Sequence, residues 1–227
     1  YNDLISVQEL FDANRGEIAC VIVEPVAANM GVVPPEEGFL QGLRKICDRE
    51  GALLIFDEVI TGFRVARGGA AQRYGVTPDL AAYGKIVGGE MPLAAYGGRR
   101  DAMSLVAPLG GIYQAGTLSG NPVATAAGLA TLRLLREEQG TLYPALEQKG
   151  AALEAAFSRA GVSVGRVGSA LTPFFTDRAP KNYSDALSCN TRAYAVYFRE
   201  MLAAGIYVAP SQFESMFLSA AHSAQDI

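Results

Sequence analysis

Glu24, Asp57 and Lys85 each fall at the end of a short apolar run that reads as a strand. In an open parallel sheet, ligand-binding groups gather at the carboxyl ends of the strands, so these three residues are expected to converge on one crevice. An amine beside carboxylates suits Schiff-base chemistry, with the amine as nucleophile toward a carbonyl and the acid as its electrostatic partner. A carboxylate next to a pyridine nitrogen keeps that nitrogen protonated, because an adjacent anion favours the cationic form. The protonated ring then accepts the electron pair left when a Cα proton departs, which is the use pyridoxal phosphate enzymes make of such a pair. Position alone leaves a plainer alternative open. A lysine after a strand is commonly a solvated loop residue, and a strand-ending aspartate is commonly a cap or turn former.

The elements that would hold these residues are legible. The apolar run Ile18–Glu24, stopped by Pro25, reads as a strand buried on both faces. A Gly/Pro-rich loop, Ala27–Pro35, leads to a helix over Glu36–Glu50 with Phe39, Leu43 and Ile46 at helical spacing. Ala52–Phe56 is a second strand, ending on Asp57, and the order strand–helix–strand predicts a parallel βαβ unit. Asp79–Tyr83 is a third strand running into Gly84 and Lys85, and Pro92–Tyr96 a further one. Asn121–Pro122 marks a helix start, with Asn as N-cap and Pro at the first helical position. That helix runs to Glu138, and a second helical stretch covers Leu142–Ala160. Beyond Gly161 the pattern becomes α+β: strands at Val162–Val167 and Leu171–Thr176, a helix over Ser184–Ala204, then strands at Ile206–Ala209 and Met216–Ala220. Residues 1–158 are thus expected to be part of a large domain with a connecting helix, and 159–227 a smaller, incomplete domain.

Composition narrows the function classes. The 227 residues are 50% hydrophobic and carry a net charge of −4, without the basic patch that nucleic-acid binding requires. No apolar run reaches the ~20 residues of a spanning helix, and polar residues at Asn2, Asp3, Ser6 and Gln8 argue against a signal peptide over the first ten positions. Cys20, Cys47 and Cys189 are odd in number and widely spaced, which suits a reducing compartment; Cys20 and Cys47 read as small core residues. His222 is the single histidine, so His-based metal clusters and a Ser-His-Asp triad lack their parts, and no metal is expected. The glycines at 84–98 do not form a GxGxxG turn. Tyr194, Tyr197 and Phe198 fit an ordinary packed helix.

The wording around Asp57 and Lys85 is more specific than their positions. The stretch LLIFDEVITGFRVARGGAAQRYGVTPDLAAYGKIVGGEMPLAAYGG, with VIVEPVAANMGVVPP before it and GIYQAGTLSGNPVATAAGLATL and YVAPSQFESMFLSAAHS after it, resembles the class III pyridoxal-phosphate aminotransferases. Within that family it is most similar to the aminomutases that convert glutamate-1-semialdehyde to 5-aminolevulinate in tetrapyrrole synthesis. The resemblance implies a fold-type I α/β architecture, a partial large domain with a mainly parallel sheet plus a C-terminal α+β small domain. It implies pyridoxal 5'-phosphate as cofactor, cycling through pyridoxamine 5'-phosphate, and a small amino-aldehyde substrate. It also implies a homodimer with shared sites in the cytoplasm, or in the plastid for a plant or algal source, with neither nucleic acid nor membrane as partner. By the same resemblance Lys85 is the imine-forming lysine and proton shuttle, and Asp57 the partner of the pyridine nitrogen. Val59 packs on one face of the ring, Asn29 lies near the phenolic oxygen, and Thr117 binds the cofactor phosphate of the neighbouring subunit. Glu214 corresponds to an acidic residue close to the site, or is a surface carboxylate; Glu24 is either site support or a structural strand end.

Glu90 and Met91 stand where the aminomutases usually carry Gly-Leu or similar, and Ser215 and Met216 where Ala-Gly is usual. Family members are nearly twice this length, and the loop that cradles the cofactor phosphate precedes the stretch present here. The chain is therefore expected to be a fragment of the full enzyme. The alternatives are an intermolecular class III aminotransferase and an inactive piece that only dimerises.

Overall fold

The computed structural model describes residues 1–227, which divide into two compact units. One unit comprises Asp3–Pro25 and Gly38–Gln139. It opens with helix α1 (Leu4–Ala13), whose N-cap Asp3 accepts a hydrogen bond from the Ser6 N–H. Strand β1 (Cys20–Val23), helix α2 (Phe39–Glu50), strand β2 (Leu53–Asp57), helix α3 (Gly69–Tyr74) and strand β3 (Leu80–Tyr83) follow. A single 3-10 turn, Lys85–Gly88, leads to strand β4 (Ala95–Gly98), the short helix α4 (Arg100–Met103) and helix α5 (Pro122–Glu137). The sheet order is β1-β2-β3-β4; the first three strands are parallel and β4 runs antiparallel to β3.

The apolar periodicity that predicts α2 also buries it: Phe39, Leu40, Leu43, Ile46 and Cys47 face inward. Phe11, Ile46 and Ala52 pack with Leu4, Val7, Ile18 and Val21, which ties α1 and α2 to β1. Leu54 and Phe56 on β2 are fully buried. Strand β1 departs from expectation, because it is not covered on both faces: Ile22 is 64% exposed and Cys20 is exposed rather than a core residue. Helix α5 begins as read from Asn121–Pro122, the Asn121 side chain accepting from the N–H groups of Val123 and Ala124.

The other unit comprises Tyr1–Asn2, Val26–Glu37 and Gly140–Ile227. Helix α6 (Gln139–Arg159) runs into it, and strands β5 (Ser163–Val167), β6 (Ala170–Phe174) and β7 (Met216–Phe217) form an antiparallel sheet in the order β5-β6-β7. Strand β6 is buried along its whole length. Arg166 joins β5 to α6 through Glu147 (2.7 Å) and Glu154 (2.6 Å). The Val26–Glu37 loop docks on β6, where the Val32 N–H donates to Thr172 Oγ1 (3.0 Å).

The single helix expected over Ser184–Ala204 is two, α7 (Tyr183–Ser188) and α8 (Thr191–Ala203). Cys189 turns extended, and the Asn190 side chain accepts from the Ala193 N–H to start α8 afresh. Ile206–Ala209 is not a strand; its Ala209 carbonyl accepts from the Tyr194 hydroxyl (2.8 Å) instead of a ladder neighbour. β7 stops at Phe217. Beyond it, the carbonyls of Ser219, Ala220 and His222 all accept from Lys149 Nζ. Tyr194 and Tyr197 pack edge-on with Phe157 and Phe175, and burial pushes both phenols up to about 12.

Candidate active site

Parallel pairing places the ends of β1, β2 and β3 along one edge of the sheet. Val23 pairs with Phe56 and Asp57 with Ala82, so Glu24 and Asp57 leave neighbouring strands side by side, with Lys85 just past the end of the third. Asp57 is half-buried, and its Oδ1 accepts from the Val59 N–H (3.0 Å). That bond turns the chain sharply and presents Val59 toward β3. A Cβ on Gly84 would meet Val59 Cγ1 at 3.1 Å, so the glycine is what lets the two segments approach.

Lys85 opens the 3-10 turn with φ 50°, in the left-handed region that costs a residue with a side chain roughly 1–2 kcal/mol. Strain of this kind is retained where the surroundings over-determine it, and it clusters at functional sites. The side chain is exposed on a cavity of about 870 Å³ whose lining includes Val59, Gly84, Lys85, Tyr96, Gln114 and Ser119. Thr117 is exposed in the 114–120 loop, between Gly116 and Leu118, which line the same cavity. One amine, the face of Val59, and the Thr117 loop thus surround one space, with Asp57 paired in register to the wall residue Ala82. Glu90 (φ 68°) and Met91 occupy the turn between Lys85 and β4.

Asn29 and Glu214 lie in the other unit, both exposed. Their loops are fastened to each other there: the Gly31 N–H donates to the Phe213 carbonyl (2.8 Å) and Ser215 Oγ to the Ala28 carbonyl (2.8 Å). Thr172 Oγ1 donates to the Glu214 carbonyl (3.1 Å).

A family model for class-III aminotransferases matches residues 3–172. The chain belongs to that family. It is 53% identical, over its whole length, to a glutamate-1-semialdehyde 2,1-aminomutase of Citrifermentans bemidjiense, of which it covers 54%. Among solved structures it matches a β-phenylalanine aminotransferase from Variovorax paradoxus (33% identity, TM-score 0.89, all of this chain and 53% of that one). It also matches a glutamate-1-semialdehyde aminomutase from Pseudomonas aeruginosa solved with PMP (28% identity, TM-score 0.84, all of this chain and 52% of that one). This class-III aminotransferase chain spans about half the length of the curated relatives it matches. The fold expected from the sequence, a partial fold-type I large domain with a mainly parallel sheet, agrees with these neighbours. No helix is long and apolar enough to cross a membrane.

Two residues of this class-III chain escaped the sequence reading. Glu58 is fully buried beside Asp57, and Asp79 is buried just before β3. Apart from the Thr61 hydroxyl three residues from Glu58, their side-chain partners are backbone N–H groups or guanidiniums at least 12 positions away, which no local spacing announces.

Proposed function

We propose that the protein carrying this chain uses pyridoxal phosphate to move an amino group within glutamate-1-semialdehyde, giving 5-aminolevulinate. The observation that carries this reading is Lys85, held at positive φ on the cavity that Val59 and the Thr117 loop also line, in a chain 53% identical to an aminomutase. The residues present fit the reactive half of the cofactor: an exposed amine for its aldehyde, an apolar face at Val59 for its ring, and a carboxylate at Asp57 for its nitrogen. When bound, the cofactor supplies the electron sink for cleavage of a Cα–H bond. Asp57 keeps a proton at the ring nitrogen through its negative charge. Lys85 Nζ would be the group that holds the cofactor at its aldehyde carbon, and as a free amine it would carry the proton to and from the substrate carbon. In this reading Asn29 would serve the phenolic oxygen, Thr117 would hold the phosphate of the neighbouring subunit in a homodimer, and Glu24 and Glu214 would support the site.

The higher TM-score of the β-phenylalanine aminotransferase favours a second reading, transfer between two substrates. Supplying the semialdehyde alone separates the two. Formation of 5-aminolevulinate without an added amino donor, lost in Lys85→Ala with the fold intact, is the expected result. Strict dependence on an external donor and keto acid would establish the second reading, and turnover surviving in Lys85→Ala would remove the lysine from its role.

A further inference from the structure

Glu58 sits between Asp57 and Val59 with 0% exposure, and no cation pairs with it. Its carboxylate accepts from Thr61 Oγ1 (2.7 Å), the Ala70 N–H (2.8 Å) and the Ala71 N–H (3.0 Å). Its own N–H donates to the Ala82 carbonyl (2.9 Å), and its carbonyl accepts from the Gly62 N–H (2.8 Å). One residue therefore gathers the end of β3, the turn at 61–62 and the start of α3. The chain is built closely round it: a Cβ on Gly69 would lie 2.7 Å from Glu58 Cδ.

The far side of this loop presses on the residues that precede Lys85. Val59 abuts Gly84, and a Cβ on Gly62 would meet Tyr83 Cδ1 at 2.7 Å. The Phe63 and Tyr83 rings lie 5.6 Å apart between centroids. Burial, with the Glu58 charge added to it, raises the Tyr83 phenol above its ordinary value.

We propose that Glu58 is a positioning residue: its buried carboxylate folds the 58–71 loop into the one shape that seats Val59 against Gly84 and so fixes Lys85 on the cavity. Glu58 itself touches neither cofactor nor substrate. The inference rests on the assignment of Lys85 above. A misplacement of ~1 Å costs about 100-fold in rate at a reacting centre, so a loosened loop registers at Lys85.

The test compares Glu58→Gln and Glu58→Ala with wild type and with Asp79→Asn, a control at the opposite end of β3, in the protein that carries this chain. Three readouts serve: the rate at which borohydride fixes pyridoxal phosphate onto Lys85, the pH midpoint of the visible band, and deuterium uptake at amides 59–71 and 83–88. Glu58→Ala is expected to slow fixation about 100-fold, shift the midpoint and speed exchange in both segments. Glu58→Gln keeps the shape but turns one acceptor oxygen into a donor, so it falls between. Asp79→Asn is expected to lose stability while fixation and midpoint stay at wild-type values. Folded Glu58 variants with wild-type fixation and midpoint overturn the proposal, as does an Asp79→Asn protein that changes as much as they do. Should Glu58→Ala fail to fold, Glu58→Gln decides. Should wild-type Lys85 take up no pyridoxal phosphate, the functional reading fails, and exchange at 83–88 alone judges the clamp: unchanged uptake in Glu58→Gln refutes it.

Discussion

Replacing Asp79 by alanine tests the electrostatic joint that holds β3 in place. The Asp79 side chain is 9% exposed. Its Oδ2 accepts from the Leu54 N–H (2.8 Å) and Arg44 Nη1 (2.7 Å), and its Oδ1 from Arg99 Nη1 (3.1 Å), so β2, α2 and the segment after β4 meet on one side chain. The Arg99 contact contributes little, since its side chain is 53% exposed and surface pairs contribute about 0–1 kcal/mol. The Leu54 N–H left unpaired costs roughly 1–3 kcal/mol. Arg44, only 19% exposed, keeps Asp48 as a partner at 2.7 Å, which limits the loss to the low end of the ~3–5 kcal/mol for breaking a buried pair. Together the two losses give a destabilisation of about 4–6 kcal/mol, or roughly 8–24 °C in Tm for a chain of this size. The pH dependence has a definite sign. Burial by itself would raise the Asp79 carboxyl, but the Leu54 N–H and the guanidiniums of Arg44 and Arg99 outweigh it and hold it below its ordinary value. Its contribution is therefore complete above the unfolded value near pH ~4 and fades as pH falls through the folded one. Urea unfolding at neutral pH and along an acid series measures both effects. A loss under ~1 kcal/mol at pH 7, or an acid slope unchanged in Asp79→Ala, would refute this account.

Two further perturbations probe the loops around the site. Thr172→Val keeps the shape of a fully buried side chain but orphans the Val32 N–H and the Glu214 carbonyl. It is expected to cost about 1–3 kcal/mol in denaturant unfolding, against about 1 kcal/mol for Ser215→Ala, which loses the single bond to Ala28. Gly69 and Gly75 both have φ 65°, but a Cβ at Gly69 runs into the Glu58 carboxylate whereas nothing lies within 4 Å at Gly75. Gly69→Ala should lose about 3 kcal/mol and Gly75→Ala about 1 kcal/mol; equal losses would mean that the collision is relieved without cost.

What could be read in advance was whatever local chemistry enforces. Asn121 and Pro122 carry their own start signal, and β2 and β3 are apolar runs that end on polar residues at the sheet edge. The break between α7 and α8 was missed because apolar periodicity continues across it, while the Asn190 cap competes only once the chain turns there. The apolar content of strand β1 alone predicts cover on both faces, but hydrophobicity does not say which face is packed; Ile22 is 64% exposed in this chain. Lys85 and Asp57 stood out through their surrounding wording. Glu58 did not, since two of its three carboxylate donors, at Ala70 and Ala71, are backbone groups 12 and 13 residues on that no side-chain pattern encodes.

The unit that contains Val26–Glu37 also has consequences for synthesis. Val32 and Val33 are fully buried once folded, and the bond that seats Val32 joins residues 140 positions apart. At ~5–20 residues per second, a ribosome needs about 7–28 s to cover that interval. Throughout it the loop is already made while its seat on β6 does not yet exist. The nascent chain must carry this apolar segment uncovered by β6, as a standing target for holdase chaperones, until Thr172 has been added.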